Sequence, residues 1–185
     1  MQLINAEALL ETQRLWLEPL QPHHASLLFP LLQDTRIYRY IPQDPPASLA
    51  VLEQRYQKLQ SRLSPLRDEA WLNWVVRLRS SLQHIGRVEA SVLPNGTAQL
   101  AYEFFPDFWG QGYATEACQR VLQMLFADYQ VSAVTAKVDT RNTASIRLLE
   151  RLEFERVDHQ TEVDFFKGST SDEYTYHLLQ EFAKI

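Results

Sequence analysis

The spacing of apolar and polar residues changes several times along the chain, and each change marks a different element. Arg14-Leu15-Trp16-Leu17-Glu18-Pro19 alternates and predicts a first strand. From His23 to Leu32 the apolar residues Ala25, Leu28, Phe29 and Leu32 recur three and four apart, the spacing of one helix face. Ile41-Pro42-Gln43-Asp44-Pro45-Pro46 can only be a loop. Ser48 then caps a helix that runs to about Arg62, with Val51, Leu52, Tyr56 and Leu59 on its apolar side. Trp71–Leu78, His84–Leu93 and Thr97–Phe105 are strand-like, and Pro94-Asn95-Gly96 joins the last two as a hairpin turn. Tyr113–Tyr129 predicts a helix with a stripe of Ala114, Ala117, Cys118, Val121, Leu122 and Leu125. A strand over Ser132–Asp139 and a short helix over Asn142–Leu152 follow, the latter with Ile146, Leu149 and Leu152 turned inward. Phe154–Val163 and Tyr174–Leu179 predict a closing pair of strands, separated by a loop that includes Phe165-Phe166-Lys167-Gly168.

This order predicts an α+β fold, a mostly antiparallel sheet with one helical crossover after three consecutive strands. With 185 residues, 45% of them hydrophobic, the chain reads as a single domain, 1–185. A net charge of -5 argues against nucleic acid as the main partner, because phosphate-backbone binding needs a clustered basic surface. The single cysteine, Cys118, excludes an internal disulfide and reads as a buried structural thiol. No Cys/His grouping suggests a metal, so none is expected. No run is apolar and long enough to span a membrane, and a cytoplasmic protein is the simplest expectation.

Two of the five glycines fall in Phe108-Trp109-Gly110-Gln111-Gly112-Tyr113-Ala114-Thr115-Glu116-Ala117, where a helix starts. Such a turn presents free backbone N–H groups and the positive end of a helix dipole, a phosphate site that needs no lysine. The run lacks the Lys-Ser/Thr of a P-loop, and Thr115 stands where a dinucleotide fingerprint has its third small residue. A turn with no ligand explains the run equally well. A second run, Asp139-Thr140-Arg141-Asn142-Thr143-Ala144-Ser145, puts Asn142 and Ser145 on one face of a helix start, where capping alone is the commoner use of both.

Taken together, the two runs resemble the GNAT superfamily of acetyl-CoA-dependent N-acetyltransferases, and within it the RimJ/RimL branch, which includes ribosomal-protein N-terminal acetyltransferases. The family pattern Gln/Arg-x-x-Gly-x-Gly/Ala reads here Trp109-Gly110-Gln111-Gly112-Tyr113-Ala114, with Trp109 departing from it in the manner of that branch. Asn142-x-x-Ser145 followed by Leu148-Leu149 and Phe154 matches the second motif. The resemblance covers most of the chain and is strongest from Gly86 to Phe154. It implies a GNAT-like, mixed, mostly antiparallel twisted sheet flanked by helices, with acetyl-CoA bound between splayed central strands.

The resemblance implies coenzyme A contacts from Gly110, Gln111, Gly112, Tyr113, Ala114 and Thr115, backbone contacts from Phe104, and positioning of the cofactor arm by Asn142. Ser145 is the candidate proton donor to the departing thiolate, and a backbone N–H near Phe104 the candidate donor to the thioester oxygen. Glu103 is a candidate base acting through water, and equally well a solvated strand residue; Glu89 is a weaker candidate. Glu116 is assigned to the first turn of its helix. The implied partner is an amine acceptor, a peptide N-terminus or a small molecule, and the sequence leaves monomer and homodimer open. A non-catalytic acyl-CoA-binding module of the same fold is the alternative.

Overall fold

Among the described residues, eight strands and four α-helices follow one another as β1 (Leu10–Glu11), β2 (Leu15–Pro19), α1 (His24–Leu28), α2 (Leu49–Leu59), β3 (Ala70–Leu78), β4 (His84–Val92), β5 (Thr97–Phe104), α3 (Tyr113–Ala127), β6 (Ala133–Asp139), α4 (Thr143–Arg151), β7 (Glu155–Phe166) and β8 (Ser169–Leu179). The structure is a computed structural model and describes residues 3–183. All eight strands belong to one sheet, in the order β1-β2-β3-β4-β5-β6-β8-β7. Every pairing is antiparallel except β5 with β6. This is the GNAT-like mixed, mostly antiparallel sheet flanked by helices.

Asn95-Gly96 sets the register at the centre. Gly96 takes a left-handed φ of 79°, and its N–H donates to the Leu93 carbonyl at 3.1 Å. Asn95 Oδ1 accepts from the Thr97 amide and hydroxyl at 3.1 and 2.8 Å. Gly86 then lies opposite Phe104, and Arg87 opposite Glu103.

Alternation along the strands sends side chains to two cores. One holds Leu15, Leu17, Trp74, Val88, Leu100 and Phe104 with Ala117, Cys118, Leu122, Leu148 and Leu149 from α3 and α4. The other holds Val75 and Phe105 with Leu20, Leu28, Leu52 and Tyr56 from the α1 and α2 side. The two faces of the sheet therefore carry different helices.

Three expectations need correction. The helix foreseen over His23–Leu32 stops at Leu28 and resumes as a 3-10 turn over Leu31–Gln33, because Pro30 lacks an N–H and its ring collides with the preceding turn. Val51 is not on the buried side of α2; it is 52% exposed. Phe165 and Phe166 are not loop: β7 and β8 run on to a tight turn at Lys167-Gly168, both with left-handed φ. β7 is the edge strand, exposed along almost its whole length, with register shifts between Arg156 and Asp158 and between Gln160 and Asp164.

The parallel pairing of β5 and β6 covers three residue pairs only, Thr97–Gln99 against Ala133–Thr135. Beyond it the strands part. On its other edge β5 bonds β4 through odd-numbered residues, as the Leu93 amide to the Thr97 carbonyl (2.8 Å) and the Phe105 amide to the Ile85 carbonyl (2.9 Å) show. In an antiparallel ladder the even-numbered residues then aim their N–H and C=O groups the other way. Tyr102 and Phe104 thus direct backbone polar groups into the gap beside β6.

Candidate active site

The glycine run forms the turn between β5 and α3. Gly110 and Gly112 both lie in the left-handed region, at φ 73° and 79°, and Gly112 is the N-cap of α3. The first helical bond to reach back is from the Glu116 amide to the Gly112 carbonyl, 3.1 Å. Among the described residues, no protein acceptor takes the amides of Gly110, Gln111, Gly112, Tyr113, Ala114 or Thr115. A ladle of free N–H groups at the positive end of a 15-residue helix suits a diphosphate.

Arg14, which no sequence motif marks, braces this turn. Its Nε donates to Glu116 Oε2 at 2.6 Å and its Nη1 to the Gln111 carbonyl at 3.1 Å, and its guanidinium lies 4.5 Å from the Tyr113 ring centroid. Glu116 also accepts from Thr12 Oγ1 (2.6 Å) and the Arg14 amide (2.9 Å). Burial opposes its charge, yet these bonds outweigh burial and hold its carboxyl below the ordinary value. Glu116 is thus a tether between the β1–β2 turn and α3, as well as a first-turn carboxylate.

Trp109, the departure from the common motif, has a visible task. Its indole Nε1–H donates to the Phe104 carbonyl at 2.6 Å. The last outward-facing carbonyl of β5 is thereby satisfied, and the Phe104 amide is left as the donor facing the gap. Gly86 permits the close strand approach there: a Cβ on it would lie 2.5 Å from the Glu103 carbonyl oxygen and 2.8 Å from the Phe104 ring.

Asn142 and Ser145 are brought together as a cap, with Asn142 Oδ1 accepting from the Ser145 amide at 3.2 Å. Ser145 Oγ meets Tyr102 Oη at 2.5 Å. Burial, then the neighbouring Cys118 thiol, push the Tyr102 hydroxyl well above its ordinary value, so it keeps its proton at neutral pH. Sequence spacing does not reveal Tyr102, because its partner lies 43 residues away; its place on β5, next to Glu103 and two residues before Phe104, is the available signal.

Glu103 points to the opposite face, toward α2. Its Oε1 accepts from Arg87 Nη2 at 3.1 Å, while Arg87 Nη1 donates to Tyr56 Oη at 3.3 Å. Glu89 Oε1 stands 3.7 Å from Arg87 Nη1. Burial disfavours the Arg87 charge, but Glu103 and Tyr56 more than offset it, and the guanidinium stays ionised. Tyr38 joins the cluster; burial, then Glu103, push its hydroxyl up to about 12. Ser145 and Glu103 therefore do not touch. They lie on opposite faces of the sheet.

A separate group of Glu18, His24 and His84 brings ligand atoms within 4.8 Å of one another. It is occupied with internal bonds. His24 Nδ1 accepts from the Gln21 amide at 2.9 Å, which leaves Nε2 protonated, and Arg77 Nη2 sits 2.5 Å from Glu18. Burial, then His23, lower His24 to about 4, so it is neutral at pH 7.

With this geometry in place, residues 14–155 match the acetyltransferase (GNAT) domain family. The chain belongs to that family. An uncharacterised N-acetyltransferase of Bacillus subtilis, YoaA, is 24% identical over 174 residues, 93% of this chain and 97% of that protein. Among solved structures, spermidine N-acetyltransferase from Vibrio cholerae, in complex with CoA and spermine, superposes with a TM-score of 0.79 at 23% identity, over 92% of this chain and 98% of that one. The ribosomal-protein-S5-alanine acetyltransferase of Vibrio fischeri gives 0.81 at 16% identity, over 96% and 100%. At these identities the two structures attest the GNAT fold, and this acetyltransferase domain has the free-amide turn and the strand gap built into it. No helix among the described residues is long and apolar enough to cross a membrane.

Proposed function

We propose that this acetyltransferase uses acetyl-CoA to acetylate a primary amine by direct transfer in a ternary complex, as a single domain working in the cytoplasm. One observation carries the reading: the run of unpaired amides from Gly110 to Thr115 opens beside the gap between β5 and β6. The diphosphate is assigned to the amides of Gly110 through Thr115, and the cofactor arm to the gap, where Tyr102 and Phe104 offer backbone groups as a strand would. Asn142, whose Nδ2 has no acceptor among the described residues, is assigned to the arm. The cofactor supplies an activated acetyl thioester.

The chain's own groups then divide the work between the two sides of the gap. The Phe104 amide donates to the acyl oxygen as charge grows there. The Tyr102–Ser145 hydroxyl pair, on the α4 side, holds a proton for the sulfur that departs. The amine approaches from the α2 side, past Glu103. Glu103 takes the amine proton through a water, and its ion pair with Arg87 makes it a weaker base than a free carboxylate. An α-amine, pKa about 8, is easier to deprotonate at pH 7 than a lysine, about 10.4, by roughly 3.3 kcal/mol. An α-amine acceptor suits a site whose base is so constrained. That argument, with the Trp109-Gly110-Gln111-Gly112-Tyr113-Ala114 run, supports the RimJ/RimL-like branch.

The test is thiol release from acetyl-CoA with a panel of α-amine and side-chain-amine acceptors. Amine-dependent release is expected, abolished by Gly112→Glu and slowed by Ser145→Ala and Tyr102→Phe. Retention of coenzyme A affinity by Gly112→Glu overturns the assignment. The Arg87–Glu103 pair favours one second reading, an acyl-CoA-binding module without turnover; binding with no transfer to any amine selects it.

A further inference from the structure

A cavity of about 330 Å³ opens between the segment after Tyr38 and the tip of the β7–β8 hairpin, lined by Arg39, Tyr40, Arg141, Phe166, Lys167 and Ser169. Three of these six carry positive charge and none is acidic. Both walls of the cavity continue into residues of the site already described. Tyr38 packs within electrostatic reach of Glu103 and Arg87, and the next two residues line the cavity wall. On the other wall, Arg141 immediately precedes Asn142, the cap of α4.

The three cations differ in what they have left to give. Arg141 is clamped by the buried Asp139, Nε to Oδ1 at 2.9 Å and Nη2 to Oδ2 at 2.5 Å, and its Nη1 donates to Ser169 Oγ at 2.6 Å. Lys167 Nζ donates to the carbonyls of Ile41 (2.8 Å) and Gln43 (2.9 Å) and, among the described residues, has Asp44, at 3.5 Å and 83% exposed, as its counter-charge. Arg39 has no carboxylate partner among the described residues, and its guanidinium lies 5.3 Å from the Tyr40 ring centroid. Its fork of N–H donors is unspent. Arg141 also lies within electrostatic reach of Asp172, so its charge is answered within the protein, whereas Arg39, beside Phe166 and Tyr40, keeps a charge that no carboxylate among the described residues pairs.

We propose that this cavity binds an anionic group of the acceptor, so that the acceptor is an amine that also carries a carboxylate, with Arg39 as the principal contact. The proposal rests on the acetyltransferase reading and narrows it: a polyamine offers no anion to Arg39 and adds positive charge to a lining that holds three cations and no carboxylate. Two sources share this chemistry, an amino acid or short peptide with a free C-terminus, and a peptide with an acidic side chain near its N-terminus.

The test measures kcat/KM at saturating acetyl-CoA for paired acceptors: Ala-Ala and its C-terminal amide, a longer amidated peptide with Glu or Gln at its second position, and spermidine. A charge-assisted bond predicts an acid-over-amide or Glu-over-Gln preference of about ten-fold or more, the responding pair naming the source. Arg39→Gln brings that ratio toward one and Arg39→Glu inverts it, with the KM for acetyl-CoA unchanged. Arg39 is exposed and makes no ion pair, so both variants should melt as the parent does, which a thermal scan checks. Equal turnover of acid and amide, or spermidine as the best acceptor, overturns the subsite while leaving acetyl transfer intact. A KM for acetyl-CoA that rises in Arg39→Glu overturns it too, since the cavity then serves the cofactor's phosphates. Silence from every acceptor removes the transfer reading and the subsite together.

Discussion

Replacing Gly86 with Ala probes the contact that places the Phe104 amide. Gly86 does not need a left-handed φ, so the penalty is steric alone. The added Cβ would stand 2.5 Å from the Glu103 carbonyl oxygen and 2.8 Å from Cγ and Cδ1 of Phe104, roughly 1 Å short of ordinary contact. The oxygen is backbone and the ring is 7% exposed, so neither can swing aside into solvent. β4 and β5 must separate, or the ring must leave its packing. Overpacking of this kind costs about 1–3 kcal/mol. For a domain of this size that is a loss of about 3–10 °C in melting temperature. If the Phe104 amide serves as proposed, a displacement near 1 Å there also lowers kcat, by as much as ~100-fold. Gly96→Ala is the control: nothing lies within 4 Å of its Cβ, so only left-handed strain of about 1–2 kcal/mol applies, and kcat stays put. Thermal scans and steady-state thiol release on both variants decide it. A Gly86→Ala protein with parental melting temperature and kcat would refute the account of how β4 and β5 meet.

Glu116→Ala removes three hydrogen bonds that tie the first strands to α3; a loss of about 1–2 kcal/mol is expected, with weaker coenzyme A binding by calorimetry, and unchanged binding would show that the tether does not shape the turn. Burial opposes the charge of Asp139, but hydrogen bonds from Arg141 and Ser171 hold its carboxyl below 3.8. Its folded value being depressed, the stabilisation is complete above that pH and disappears as pH falls through the folded value. Urea midpoints from pH 7 to pH 3 should therefore show Asp139→Asn weaker than the parent at pH 7 and converging with it at the acid end; a constant gap would refute this. Burial pushes the Cys118 thiol far above its ordinary 9.0, so iodoacetamide should label the protein only after denaturation, as read by mass spectrometry; labelling of the native protein would show that α3 opens.

Much of the site is legible in the order of the residues. Counting outward from Asn95 pairs Gly86 with Phe104 and Arg87 with Glu103, because a tight Asn-Gly turn fixes the register of everything beyond it. The glycine run and the Asn142–Ser145 cap stand out because each is local, needing only a turn and a helix start. Contacts across the chain leave no such trace. Arg14 reaches Glu116 over 102 residues and Gln111 over 97, and nothing in the spacing of either run points to it. Trp109 shows only as a departure, since its partner is a main-chain carbonyl, to which any residue type contributes alike. The cationic cavity draws on residues near 40, 141 and 167, which meet only once the sheet has formed. Pro30 is in plain view; the apolar spacing around it still continues through the break, because a 3-10 turn keeps Leu32 on the same side.

The two ends of the sheet are guarded in different ways. β1 stops after two residues, too short to recruit another strand. β7 offers twelve, with Val157, Val163 and Phe165 exposed at 52%, 42% and 68%. Its defences are Glu155, Arg156, Asp158, Glu162 and Asp164, and the irregular register that twists it out of line. The protection of this edge is thus vested largely in its carboxylates. Substitutions that neutralise them would turn this margin into a template on which further copies stack.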